Sequence, residues 1–359
     1  WLNHPSFGTA TMTNSLGKRL VGYMAEATFL RSAEAGLANA KKNLPYIERT
    51  ITELNAKQTG QVPDIAMVIS AGPSLHRKDP AKLLLKYQYD GPIVCMDSSL
   101  GYCLRNGLIP DYVVVVDPDE SRVVRWFGDH MLEDRADDEY FHRQELDPTM
   151  HQNTLSWNRQ IMELVDTHGP KIKAVLATSI HPVVRDRCLE AGMAVYWWNP
   201  MYDDYEKPDS FSRGIYELTN KTPLMVTGGN VGTSSWVFAA STLKAKKVAL
   251  TGMDLGYPPD NPISGTQYFT DLLELFGDRI EEAFIDVYNP HLKETWYADP
   301  AYYWFREGFL ELAKLAPCKT YNCTEGGTLF GEGLEFIKLE DFLKTHLEAR
   351  SNGLKADQI

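Results

Sequence analysis

The stretch Ile65-Ala66-Met67-Val68-Ile69-Ser70-Ala71-Gly72-Pro73-Ser74-Leu75 decides the fold. Its first half is a short apolar run, closed by small and turn-forming residues. That pattern predicts a buried strand over 65–70 turning sharply into a helix. The pattern recurs at 92–96 and 112–116, with helix-forming stretches at 80–87 and 99–106 between the strands. Connections of this kind join parallel strands by right-handed β-α-β crossovers. Further strands are expected at 172–178, 194–198, 247–251 and 319–322, and helices at 158–167, 182–191, 233–243 and 301–315. The fold class is α/β, a doubly wound and mostly parallel Rossmann-like sheet.

Upstream of this stretch, Leu20, Met24, Ala27, Leu30 and Leu37 recur at roughly helical spacing, and Pro45 breaks the pattern. The polar residues 56–61, with Gly60, read as a linker. The expected division is a helical N-terminal segment, 1–60, and a sheet domain, 61–359. Surface insertions are expected near 129–156, where 133–147 reads EDRADDEYFHRQELD, and near 199–222, which opens rich in Tyr and Pro.

The chain has 359 residues, 43% hydrophobic and 23% charged, enough to close a large core. Its formal charge of -12 disfavours nucleic acid and anionic lipid as partners. No apolar run approaches the ~20 residues of a membrane span, and the first residues, beginning at Trp1, lack a signal-peptide layout. The five cysteines, Cys95, Cys103, Cys188, Cys318 and Cys323, include no C-x-x-C pair. That argues against a disulfide framework or a structural zinc site and makes the cytoplasm the expected compartment.

Ligands of open α/β sheets bind at the carboxyl ends of the strands, so the residues closing each strand are the candidates. Gly72 permits close approach of a ligand, and Ser74 offers a hydroxyl beside a helix start; the alternative is an ordinary strand-to-helix turn. Asp117 and Asp119 flank Pro118, where carboxylates can meet a divalent cation or a ribose, and Asp97 could join them. Alternatively, Asp119 caps a helix at Glu120 and Asp97 one at Ser99. Gly228-Gly229-Asn230 opens a helix followed by Thr233, Ser234 and Ser235, the pattern of a second anion- or base-binding loop. The P-loop and G-x-G-x-x-G fingerprints are both absent. His181, closing a strand before Pro182, is either a general base or a cap. Tyr196-Trp197-Trp198 reads as core with one edge residue.

The segments VISAGPSL, MDSSLGYCLRNGLIPDYVVVVDPD, TGGNVGTSSWVFAASTL, ALTGMDLGY and YNCTEGG together resemble the DUF115 family over about 64–339. That family unites MptE-like 6-hydroxymethyl-dihydropterin pyrophosphokinases with motility accessory factor (Maf) proteins, which look like glycosyltransferases acting on flagellin. The G-P-S-L segment is also similar to the CMP-binding turn of Rossmann-like sialyltransferases. The resemblance implies nucleotide contacts from Gly72, Pro73, Ser74 and Leu75, bordered by Asp97, Ser98 and Ser99. Gly228, Gly229, Asn230, Asp254, Gly256, Thr324, Glu325 and Gly326 would complete the pocket. After Asp254 the chain lacks a histidine expected near there.

Two activities follow from the resemblance. In the first, a nonulosonic, sialic-acid-like sugar moves from a CMP-sugar to a Ser or Thr hydroxyl of a flagellin-like protein. In the second, ATP and Mg2+ act on a hydroxymethyl pterin, with Asp117 and Asp119 as metal ligands. The candidate catalytic residues are Asp117, Asp119 and His181. A nucleotide-binding protein without catalysis is the third reading. The N-terminal helices are expected to dock an acceptor or a second copy of the chain, leaving nucleotide affinity nearly unchanged when residues 1–60 are removed.

Overall fold

The computed structural model of the chain describes residues 16–60, 62–119, 123–132 and 154–346. Nine parallel strands form one sheet: β1 (Ile65–Ile69), β2 (Ile93–Met96), β3 (Tyr112–Val115), β4 (Lys173–Ala177), β5 (Ala194–Met201), β6 (Leu224–Val226), β7 (Lys247–Thr251), β10 (Lys319–Asn322) and β11 (Leu334–Phe336). Between β7 and β10 the chain makes an antiparallel hairpin of β8 (Ile285–Asn289) and β9 (Glu294–Ala298).

The strand order is β11-β10-β7-β1-β2-β3-β4-β5-β6. From β1 the chain steps outward to β6, then returns to lay β7 on the other flank of β1. The direction of winding therefore reverses between β1 and β7, and a crevice opens at their carboxyl ends. The central strands are buried throughout, as in β1, because helices cover both faces of a parallel sheet. The aromatic run behaves as expected, with Trp197 and Trp198 fully buried and Tyr196 half-buried under the Arg49 guanidinium.

The expected α/β sheet is present, and its seven expected strands begin or end within a few residues of the observed ones. The expected helix at 233–243 is an α-helix over Val231–Val237 that loosens into a π turn over Phe238–Thr242. β6, β11 and the β8–β9 hairpin escaped the sequence reading because each is too short or too polar to show a buried run.

Two expected boundaries are corrected. The helix Met24–Asn43 lies across the carboxyl ends of β3 and β4 instead of standing apart in a 1–60 segment. Asn39 Nδ2 donates to Pro118 O (3.1 Å) and Ser179 O (2.9 Å), and Asn43 Nδ2 donates to Thr178 O (2.9 Å) and Ile180 O (2.8 Å). Both asparagines are buried, so these bonds satisfy strand-end carbonyls that water cannot reach. Downstream, Trp197 N donates to Arg49 O, and the indole of Trp197 donates to Tyr46 O. The 199–222 stretch is only in part a surface excursion, with residues 206–209 exposed and both flanks built into the fold. β5 continues through Asn199 to Met201, and buried Asn199 ties Thr178, Thr219 and Thr222 together. A loop over 202–209 follows, and then the helix Phe211–Leu218, capped by Ser210. The acid-rich residues 133–147, and most of the 129–156 insertion, lie outside the described residues.

Candidate functional site

A cleft of about 1290 Å³ opens at the β1/β7 reversal. Its floor is made of strand-closing residues: Gly72 and Pro73 after β1, Asp97 and Ser98 after β2, Asp117 and Asp119 after β3, and Asp254 and Gly256 after β7. Gly229 and Asn230 join them although β6 lies at the far edge of the sheet, because the chain crosses back and its helix Val231–Val237 packs over the central strands. These candidates, a part of the expected set, converge on one cleft.

The β1/β7 floor is a closed lock. Asp254, 1% exposed, accepts hydrogen bonds from Ser74 N (3.1 Å) and Ser74 Oγ (2.5 Å). Burial pushes its carboxyl up to about 7, although both Ser74 donors act against the rise. A Cβ on Gly72 would stand 2.1 Å from Asp254 Oδ2, and one on Gly326 would stand 1.8 Å from Ser74 Oγ. The glycines are required by the packing of protein on protein. Gly72 thus serves the turn itself, the alternative weighed for it, and still lines the cleft.

Several other candidates also prove to be supports. Leu75 and Ser99 are buried; the Ser99 hydroxyl donates to Ile69 O (2.7 Å). Thr324 Oγ1 accepts from Met253 N, and Glu325 accepts from Leu339 N, behind the cleft floor. Gly228, at φ +59°, would collide with Thr233 if it carried a side chain. Asn230 caps the helix through Thr233 N (2.8 Å), and the hydroxyls of Ser234 and Ser235 donate to backbone carbonyls within that turn. These hydroxyls are spent locally, which corrects the expectation that they would meet an anion. His181 is the cap of the helix Pro182–Glu190, its Nδ1 accepting from Val183 N (3.4 Å), and it does not line the cleft. Its expected role as a base is withdrawn.

The strongest chemistry lies at β2 and β3. Asp97 begins the helix Asp97–Arg105 as its first residue, Oδ1 accepting from Ser98 N (2.7 Å), so it does not cap a helix at Ser99. It is 3% exposed, and burial followed by the charge of Asp117 pushes its carboxyl up to about 7. The two carboxylates are therefore close enough to repel. Asp119 lines the same cleft, ahead of residues 120–122, which are outside the described set. Among the described residues, no group of three or more His, Cys, Asp or Glu side chains is arranged to hold a metal alone. The described cysteines are all free thiols, and no described helix is long and apolar enough to cross a membrane.

The opposite half of the cleft was not foreseen. Leu20, Met24 and Ala27 come from the N-terminal helices, and Leu272, Leu275 and Phe276 from the helix Phe269–Phe276. Tyr257, Tyr302 and Asp299 continue this wall. Tyr257 stacks on Tyr302 (5.2 Å between centroids) and donates to Asp299 Oδ2 (2.8 Å), while Asp299 Oδ1 caps the helix Pro300–Lys314 through Tyr302 N. Burial pushes the Asp299 carboxyl up to about 6. The apolar stripe of Leu20 and Met24 was visible in the sequence, but what it faces was not.

Fold and cleft define an α/β protein with a large cleft at the winding reversal of a parallel sheet. Residues 37–133 match the model of a family described as 6-hydroxymethylpterin diphosphokinase MptE-like. This match bears out the DUF115 resemblance, and it carries β1 to β3 with Gly72, Asp97, Asp117 and Asp119. It begins inside the helix Met24–Asn43, across the expected boundary at residue 60. Comparison with curated proteins gives no match. Among solved structures, the chain is similar to the Maf glycosyltransferase of Magnetospirillum magneticum AMB-1, with a TM-score of 0.48 and 15% identity. The alignment covers 82% of this chain and 37% of that one, so the chain spans little more than a third of that protein's length.

Proposed function

We propose that this protein is a nucleotide-dependent transferase whose activated donor lies over the strand ends and whose acceptor lies against the helical wall. The observation that carries the reading is the cleft itself. At about 1290 Å³ it exceeds the roughly 300–1,000 Å³ of a single small-ligand pocket, and it joins a polar floor to an apolar wall. Such a space suits two substrates held side by side, where much of the rate gain comes from positioning.

In the favoured reading the donor is a CMP-activated nonulosonic sugar and the acceptor a hydroxyl of a flagellin-like protein. The bond between the anomeric carbon and the CMP phosphate oxygen breaks, its electron pair leaving with CMP. The acceptor oxygen forms the new bond, and its proton passes to a carboxylate of the Asp97/Asp117 pair. The wide, partly apolar wall is what favours a macromolecular acceptor.

The facing carboxylates Asp97 and Asp117 favour a second reading, in which ATP gives its diphosphoryl group to the hydroxymethyl oxygen of a pterin and AMP departs. Asp117 and Asp119 offer hard oxygen donors to Mg2+, and substrate phosphates would have to supply most of its ligands, since no three described carboxylates are arranged to hold it. Bound there, the ion would offset phosphate charge.

Melting curves with CMP, CTP, ATP and GTP, each with and without Mg2+, separate the two. At a concentration ~100 times Kd, a bound nucleotide stabilises by about 2.7 kcal/mol. Stabilisation by cytidine nucleotides is expected. Stabilisation by adenine nucleotides alone, dependent on Mg2+, would replace the first reading with the second.

A further inference from the structure

The described lining of the cleft carries six aspartates, Asp97, Asp117, Asp119, Asp254, Asp271 and Asp299, and a single Lys or Arg side chain, Arg77. An anionic donor entering this space would meet mostly repulsion. Asp254 and Asp299 are held by hydrogen bonds within the fold, but Arg77 is held only loosely.

Arg77 belongs to the short helix Ser74–Lys78, directly after the Gly72 turn. Its Nη2 donates to both carboxylate oxygens of Asp260, at 2.9 and 3.1 Å. Both partners are exposed, 47% and 69% at their side chains, and Asp260 belongs to the chain segment that follows β7. Arg77 Nε and Nη1 make no hydrogen bond to any described residue. Its charge also reaches Asp254, lowering that carboxyl against the effect of burial, so the guanidinium stands close to the floor.

We infer that Arg77 is the anion-binding residue of the cleft, parked on Asp260 until the phosphate of a nucleotide donor takes the place of that carboxylate. The chemistry suits the exchange. A guanidinium binds phosphate oxygens through paired N–H donors, and the exposed Arg77–Asp260 pair is of the weak kind that salt screens. Asp260 thereby acts as an internal competitor. Its carboxylate presents two oxygens to one guanidinium nitrogen, much as a phosphate would. This inference rests on the nucleotide-transferase reading above and adds the residue that recognises the donor's charge.

The test is calorimetric titration of wild type, Arg77→Ala, Arg77→Lys and Asp260→Asn with CMP, CTP, ATP and inorganic pyrophosphate, in buffer containing Mg2+. Arg77→Ala should weaken binding by about tenfold or more, as loss of a charged hydrogen bond does, and Arg77→Lys should recover part of it. Asp260→Asn should bind more tightly than wild type. A merely structural ion pair would make both partners' variants bind alike, and that outcome overturns the inference. Wild-type nucleotide binding that Arg77→Ala leaves unchanged would also overturn it while sparing the nucleotide reading. Pyrophosphate binding that depends on Arg77 without any nucleotide binding would spare Arg77 and overturn the nucleotide reading. Failure of wild type to bind any of the four probes would overturn both.

Discussion

The two halves of the cleft are built in different ways. The floor is assembled from turns that follow strands, and its candidates, Gly72, Asp97, Asp117 and Asp254, stand where their strands deliver them. The helical wall depends on partners remote in the chain: Asn39 bonds Ser179 across 140 residues and Asn43 bonds Ile180 across 137. A motif at a strand end announces its own position, whereas an amphipathic helix announces only that it must cover something. The wall, the part of the site least marked by motifs, is also bound into the core.

The largest expected effect tests that claim. Removing residues 1–60 should abolish cooperative unfolding, because it exposes the core around Ile51 and Leu54 and strips donors from four strand-end carbonyls. The milder double variant Asn39→Ala/Asn43→Ala loses five hydrogen bonds, the four donated by the amides and the one Asn43 Oδ1 accepts from Arg185 Nη1, at about 1 kcal/mol each, and should lower stability by roughly 4–5 kcal/mol. Thermal and urea melts read both. A truncated chain with an unchanged Tm would make the wall an appendage after all.

On the floor, the Gly326→Ala methyl would meet Ser74 Oγ and Asp254 Oδ1 at 1.8 and 2.7 Å. Overpacking of this kind costs about 1–3 kcal/mol. Gly214→Ala, in the helix Phe211–Leu218 with nothing within 4 Å of the added atom, should instead stabilise by about 0.5–1 kcal/mol. Equal responses at the two positions would contradict the tight lock seen around Asp254.

A further test concerns pH. With its carboxyl raised from 3.8 to about 7, Asp254 keeps a proton in the folded chain that the unfolded chain releases. Its contribution to stability is therefore full below pH ~4, falls as pH rises toward 7, and is flat above. Asp254→Asn should reduce this slope in Tm against pH without removing it, since Asp299, raised to about 6, acts in the same direction. A slope identical to wild type would mean that Asp254 is ionised within the fold.

Much of the sheet was legible because parallel strands covered on both faces must be largely apolar, as β1 is throughout and β7 is between Lys247 and Thr251. β6 and β11, three residues each, hold too few side chains to carry a pattern, and the β8–β9 hairpin alternates with exposed residues such as Asp286 and Tyr288. The site was half legible. Asp97, Asp117, Asp119 and Asp254 could be chosen because strand ends are where such sheets bind ligands. The difference between a lining residue and a support could not be seen. Ser74, Ser99, Thr233 and His181 have the same chemistry as a binding residue, and only their hydrogen bonds inside the fold assign them to packing and capping.

The amino-acid sequence by itself determined the class of fold, the order of the central strands' closing loops and the acidic character of the site, since these follow from local runs of side chains. Tertiary structure alone decided that the chain reverses at β1 and β7, that the N-terminal helix walls the cleft, and that Arg77 pairs with Asp260. Those outcomes depend on which distant carbonyl, carboxylate or apolar face meets which partner, and contacts across more than a hundred residues leave no periodic signal in the chain.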